Sequence, residues 1–343
     1  MSCTAFACTN LAETDYNAAA LIFDEAGQIT EPDLLMALTG QSALLLTLLA
    51  GDTKQLSAVI PSLHSKRNPL GNLLAISPLE RLHRAYPEID HIVLVRNYRS
   101  HPSITPMASR LFYNYRMVAA RYGSSDWDTP LVNAVRKLME SGSMVRSFVD
   151  REKALAHDNR QPFIDVNSYP VRELNGKSWC NPGGAEAVVQ FAKRLVGLKE
   201  VNMEDIGIIS MYREDVRVIR QKLRQLGLEA VATAKVKPRF DTSTVDAFQG
   251  KEKKIMLVHF VAAFTEGRNP FGFVRDERRL NVATTRAEEY QFLFGNMTRW
   301  QAWREWSGYD SQRTGKEVKV MMDMIKWITR RGIIMDHDNF PEA

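Results

Sequence analysis

Six short apolar runs, set apart by amphipathic stretches, are what most narrows the folds open to this chain of 343 residues. Leu21 to Phe23, Leu44 to Ala50, Ile92 to Val95, Ile206 to Ser210, Ile255 to Val261 and Gln291 to Phe294 are continuous rather than alternating, as strands buried on both faces are. Between them, Pro32 to Leu38, Pro78 to Tyr86, Ser103 to Phe112, Ala185 to Val196, Asp215 to Leu226 and Glu277 to Ala287 carry helical periodicity. This order predicts an α/β protein with parallel strands and ligands at the strands' carboxyl ends.

Composition excludes several alternatives. Three cysteines, Cys3, Cys8 and Cys180, show no metal-ligand spacing, so neither a zinc site nor a disulfide framework is expected, and a reducing compartment, cytosol or nucleus, follows. The longest apolar run, Ala43 to Ala50, is too short to span a bilayer, so no membrane partner is expected. A formal charge of +5 fits an anionic partner and equally a solvated basic surface. The segment Tyr113 to Arg160 is polar and irregular, with one helix near Leu131 to Met139, and reads as an insertion; Val318, Met321, Ile325 and Ile328 predict a packed terminal helix.

Charged motifs follow the runs in a fixed order. Asp24 and Glu25 come directly after a strand, where buried carboxylates need a cation or donors; the pair suits Mg²⁺ binding and water activation, or a helix cap. Gln55, in Gly51 to Leu56, follows the next strand, where an amide can sense a γ-phosphate or simply face solvent. Arg99, in Arg96 to Pro102, can reach a phosphate as a bidentate donor, while His101 is expected to make a structural hydrogen bond. Thr244 to Glu252 forms a small, polar loop that leaves its backbone open to a ligand. Arg279 and Arg286, seven residues apart in an expected helix, would share one face, turned to phosphate or to solvent.

Taken together, these motifs resemble the superfamily 1 helicases of the nonsense-mediated-decay and Okazaki-fragment-processing type, which move 5′ to 3′ on single strands. The resemblance covers Cys3 to Asn296. It implies a P-loop NTPase helicase fold of two RecA-like domains that sandwich ATP and grip single-stranded RNA or DNA, RNA being preferred. It makes Asp24 the residue that holds Mg²⁺ through water, Glu25 the residue of the attacking water, Gln55 the γ-phosphate sensor, and Arg99 and Arg286 arginine fingers, typically worth about 10³ to 10⁵ in rate. Glu252, Gln249, Gly250 and Arg279 fall on the nucleotide side, and Thr244, Asp246 and Asn97 on the nucleic-acid side. Asn181 and Glu186 match an Asn-x-x-Glu-Ala stretch only at wider spacing, which favours a structural role at a helix start.

One departure is large. The family's Gly-x-x-Gly-x-Gly-Lys-Thr loop is absent before Asp24, and Ser2 to Asn10 aligns beyond it. Neither Gly176-Lys177-Ser178 nor Gly315-Lys316-Glu317 has the upstream glycines to replace it. The expected layout is a partial first RecA-like domain over 1–75, a complete second one over 76–300 with an insertion at 113–160, and a helical tail over 301–343. ATP and Mg²⁺ would then be used only if an upstream segment or a separate chain supplies the loop; a catalytically silent nucleic-acid-binding or regulatory module is the alternative. A first sheet lacking an interior strand should leave apolar strand faces uncovered.

Overall fold

A computed structural model describes residues 4, 17–39, 41–60, 70–89, 91–120, 128–141, 159–173, 178–229, 240–261, 272–306, 316–331 and 334–336. The expected starting segment Ser2 to Asn10, apart from Thr4, and Gly176, Lys177 and Gly315 lie outside these residues. The chain divides into two compact units, Met1–Val93 and Leu94–Ala343.

In the first unit β1 (Ala20–Phe23) pairs in parallel with β2 (Leu46–Leu49), Phe23 opposite Leu49. The crossover is α1 (Glu31–Leu38). Its start is fixed by a capping box: the Thr30 side chain accepts from the Asp33 N–H, and the Asp33 carboxylate accepts from the Thr30 N–H. Helices α2 (Gly71–Leu74) and α3 (Pro78–Ala85) follow. Ile22, Leu46 and Leu48 are 70%, 58% and 49% exposed, in line with the expectation of uncovered apolar strand faces.

The second unit starts with a short parallel pair, β3 (Arg96–Asn97) and β4 (Val118–Ala119), with α4 (Thr105–Phe112) between them. Helix α5 (Pro130–Ser141) follows. The main sheet takes in β5 (Phe163–Asp165), β8 (Ile206–Ser210), β9 (Asp241–Thr244), β10 (Lys253–His259), β11 (Ala287–Gly295) and β12 (Ile334–Asp336). Their order is β12-β5-β11-β10-β8-β9, parallel throughout, as the apolar runs predict. A hairpin, β6 (Val171–Arg172) with β7 (Trp179–Cys180), leads into α6 (Pro182–Val196), and α7 (Arg213–Gln225) follows β8.

Strand residues alternate between two buried layers. Ile206, Ile208, Ile255, Leu257, Phe292 and Phe294 join Val188, Phe191 and Leu195 of α6 and Ile219 and Leu223 of α7 in one core. Leu131, Val132, Val135 and Met139 of α5 are buried in the same cluster, so the helix expected within the 113–160 segment is part of the domain core. Toward the other layer Phe163 and Phe260 pack on Trp300 of α9 (Met297–Trp306). The terminal helix forms as α10 (Lys316–Arg331), with Met321, Ile325 and Ile328 buried, and the segment after it adds the edge strand β12, which periodicity did not announce.

Two expected elements are corrected. Ile92 to Val95 is not a strand, and Ile92 and Leu94 are 91% and 90% exposed: apolarity supplies no ladder partner, and a strand exists only by pairing. The helix expected over Glu277 to Ala287 is α8 (Glu277–Thr284), and Ala287 opens β11. Thr284 and Thr285 turn their hydroxyls back to the carbonyls of Leu280 and Asn281, both at 2.8 Å, which closes the helix. Arg279 and Arg286 therefore do not share a helix face.

Candidate functional site

In the first unit the two strand-end motifs are held together by main-chain contacts. Ala26 N–H donates to the Ala50 carbonyl at 2.7 Å, and Ala50 N–H donates to Phe23 at 2.8 Å. A Cβ on Gly27 would lie 2.8 Å from the Asp52 carbonyl oxygen, and one on Gly51 would lie 2.7 Å from Gly27 N, so both motifs need their glycines for this approach. Asp24 is exposed at the end of β1 and accepts the Glu25 N–H at 2.9 Å. Glu25 sits at φ +52, an uncommon conformation for a residue with a side chain, and its carboxylate accepts from Gln28 Nε2 at 3.1 Å. Gln55 Nε2 donates to the Asp52 carboxylate at 3.0 Å.

In the second unit three motifs converge on the amino ends of β10 and β11. Ser100 Oγ donates to the Ala287 carbonyl and His101 N–H to that of Glu288, both at 2.8 Å, so Arg96 to Pro102 docks along the start of β11. Arg99 Nη1 donates to the Thr285 carbonyl at 3.1 Å, and its Nε is paired with the Glu252 carboxylate. Lys253 N–H donates to the Arg286 carbonyl at 3.1 Å; the Arg286 side chain is only 2% exposed. His101 Nδ1 accepts the Ser103 N–H at 3.1 Å, the structural bond expected of it. Asn97 is used locally too: its Oδ1 accepts from the Arg99 and Ser100 N–H groups at 2.9 and 3.2 Å.

The 244–252 loop runs between opposite edges of the sheet. Thr244 pairs with Ser210, which lies opposite His259, the last residue of β10, whereas Glu252 precedes its first. Seven residues of β10 at about 3.3 Å each set the edges about 23 Å apart. Thr244 therefore lies at a carboxyl end, as expected of the motifs, whereas Arg99, Glu252 and Arg286 lie at the amino ends, which corrects the expected placement. Two residues past Thr244, Asp246 holds Arg279 (3.0 Å), which Asp276 also engages (3.2 Å). Burial disfavours the Arg279 charge, but the hydrogen bond and charge of Asp246 outweigh it, so its pKa rises. The Gln249 amide Oε1 and Nε2 are shielded from solvent without a hydrogen-bond partner, and Gly250 follows at φ +76.

Other placements come from the fold alone. The Arg279 guanidinium lies 4.5 Å from the centre of the Phe273 ring, which stacks on Tyr212 at 4.9 Å. His259 Nδ1 and Asp215 Oδ2 meet at 2.7 Å, fully buried, and Asp215 also accepts the Asn181 N–H. Asn181 caps α6 by accepting from the Gly184 N–H at 3.0 Å, and Glu186 pairs with Lys222, so both keep structural roles. Among the described residues no cluster of three or more His, Cys, Asp or Glu side chains could hold a metal ion, and no helix is long and apolar enough to cross a membrane.

Residues 74–298, well over half of the chain, match the AAA_12 family, an AAA domain. The chain belongs to this family. Among its relatives, the probable RNA helicase armi of Drosophila melanogaster is 29% identical over 295 residues, covering 80% of this chain and 23% of that protein. The uncharacterized ATP-dependent helicase MJ0104 of Methanocaldococcus jannaschii is 27% identical, over 93% of this chain and 39% of its own length. DNA polymerase alpha-associated DNA helicase A of Schizosaccharomyces pombe is 28% identical, over 82% and 38%. This AAA_12 chain thus spans 23% to 39% of the lengths of these relatives. Among solved structures, the PRRSV helicase aligns with a TM-score of 0.38 at 14% identity, over 85% of this chain and 38% of that one, too low a likeness to bear on the fold.

Proposed function

We propose that this chain is the C-terminal portion of an ATP-dependent helicase or translocase that moves on single-stranded nucleic acid, RNA rather than DNA, in the cytosol or nucleus. The observation that carries this reading is the docking of Arg99 to His101 along residues 285–288, which sets Arg99 against Glu252 and beside the Arg286 backbone. Three segments far apart in sequence thus place a planar cation and a carboxylate at one strand edge, a combination suited to phosphate and to a sugar hydroxyl. Gln249 supports a ligand there. Its desolvated, unbonded amide costs about 1–3 kcal/mol, which a hydrogen bond from a bound group would offset.

The first unit's residues fit Mg²⁺ and the nucleotide in chemical type. Asp24, exposed at the end of β1, would hold the ion through water, and Gln55, tied to Asp52, would report on the terminal phosphate. When bound, Mg²⁺ with ATP supplies a polarised phosphoryl group. Glu25 would orient the attacking water and accept its proton; its backbone, at φ +52, has the kind of strain that clusters at functional sites. In the second unit, Arg99 and Arg286 would act on phosphate and Glu252 on a ribose hydroxyl. The glycine-lysine loop this chemistry requires would come from an upstream segment or a separate chain, in keeping with the greater length of the relatives. Burial of Arg286 and the engagement of Arg99 by Glu252 favour the second reading, a catalytically silent nucleic-acid-binding or regulatory module.

Two measurements test the reading. The chain alone should bind a single-stranded oligonucleotide with an affinity that falls as salt rises, and RNA should bind more tightly than DNA; salt-independent binding, or none, would overturn it. It should show negligible ATP turnover alone and gain turnover when the glycine-lysine segment is supplied, with Glu25→Gln abolishing the gain. Strand binding with no gain would leave the silent module.

A further inference from the structure

In a sheet that is parallel throughout, all carboxyl ends share one edge, so the turns after β5 and β11 lie on the same edge as Thr244. Four interstrand spacings, about 19 Å, separate β9 from β5 there. Beyond β5 the chain exposes Tyr169, 56% accessible, with the Arg299 guanidinium 3.9 Å from the centre of its ring. Next to it in sequence, the β6–β7 hairpin pairs Arg172 with Trp179 across the two strands, the guanidinium 6.0 Å from the indole, and Val171 is 49% exposed.

The turns that carry Tyr169 and Arg299 are tied to β5 and to each other. Asp165, the last residue of β5, accepts the Met297 N–H at 2.8 Å and the Thr298 hydroxyl at 3.3 Å, which fixes the start of α9. Asn296 accepts the Arg299 N–H at 2.9 Å and donates to the Ser168 carbonyl at 3.3 Å, tying the two turns together. An exposed tyrosine backed by a fixed guanidinium loses little conformational entropy on receiving another ring, and two arginines beside it favour an anionic ligand.

Resting on the nucleic-acid reading above, we infer that Tyr169 and Arg299, with Arg172 and Trp179 alongside, form a base-stacking platform for single-stranded nucleic acid that continues the track beginning at Thr244. Stacking uses the face of a base and not its hydrogen-bonding edge, so the platform accepts any sequence, in RNA or DNA.

The test is fluorescence anisotropy of the intact chain with 5′-labelled oligouridine and oligothymidine over a salt series. Tyr169→Ala should weaken binding of both by about 5- to 150-fold, the usual range for one lost base stack. Its salt slope should match that of the unaltered chain, because a phenol ring releases no counterions. Tyr169→Phe, which keeps the ring, should bind like the unaltered chain. A salt-sensitive affinity that Tyr169→Ala leaves unchanged would overturn the platform and leave the proposed function standing, the exposed ring then serving a protein partner or none. No binding by the unaltered chain would overturn both. Unchanged thermal melting of the variants would show that their affinities report contact and not folding, as expected of an exposed side chain.

Discussion

Replacing Glu289 by alanine should destabilise the second unit far more than a surface charge would. Glu289 lies on β11 just past the stretch that receives Arg99, Ser100 and His101, and its carboxylate accepts from Arg160 Nη1 at 2.8 Å. The side chains are 3% and 10% exposed, and the Arg160 guanidinium also lies 5.5 Å from the Tyr290 ring centre. Burial, and after it the Arg136 charge, lower the Arg160 pKa, while Tyr290, Glu289 and Asp128 oppose the shift, so Glu289 contributes to compensating the cation. Removing one partner of a buried pair costs about 3–5 kcal/mol, against about 0–1 for an exposed pair. In a domain of this size, that loss lowers the melting temperature by roughly 6–20 °C. Differential scanning calorimetry of Glu289→Ala would measure it. The paired replacement Arg160→Met with Glu289→Leu should recover most of the loss, because an apolar pair leaves no charge uncompensated. A drop of only a degree or two in Glu289→Ala would refute the reasoning and show that water reaches Arg160.

Arg99→Ala should change stability by only about 0–1 kcal/mol, since its pair with Glu252 is partly exposed, yet cut the ATP turnover of the loop-complemented protein by about 10³ or more, chiefly in kcat. Gly51→Ala should cost about 1–3 kcal/mol in thermal or urea melting, because the added carbon would press on the main chain of Ala26 and Gly27, at 2.8 and 2.7 Å. Cys180 is buried, and desolvation, with the nearby Asp215 and Glu214 charges, pushes its thiol up to about 11 from the ordinary 9.0. The folded state therefore favours the protonated thiol: this contribution to stability is complete below about pH 9 and is lost as pH rises from there through about 11, and iodoacetamide labelling of Cys180 at neutral pH should wait for unfolding.

Strands β8, β10 and β11 of the main sheet were legible because both of their faces are buried and their apolar runs are continuous, and α6 and α7 because their apolar stripes match the core they cover; β5, β9 and β12, of three or four residues each, were too short to announce themselves. Pairings between remote charges were not. With 45 basic and 40 acidic residues, nothing local selects Glu252 for Arg99 or Glu289 for Arg160, and His259 meets Asp215 only because β10 lies beside β8. The end of α8 was hidden for a different reason. Leu280, Val282, Ala283 and Ala287 continue an apolar pattern with no glycine or proline to stop it, and the stop is made by two threonine hydroxyls whose preference for back-bonding is weak until tertiary context fixes it.

The loop from Thr244 to Glu252 shows how far adjacency in sequence can mislead. As a motif it reads as one small site, with Thr244, Asp246, Gln249, Gly250 and Glu252 assigned to neighbouring ligands. A parallel connection cannot end where it begins: leaving β9 at a carboxyl end and entering β10 at an amino end, it must cross the height of the sheet. Thr244 is thereby committed to one edge and Glu252 to the other. The loop is fixed between them by Asp246, held by Arg279, which is itself clamped by Asp276 and by the Phe273 ring. Asp246 lies two residues past Thr244, so a displacement of Arg279 would loosen the loop at its Thr244 end and leave its entry into β10 to Glu252 and Lys253.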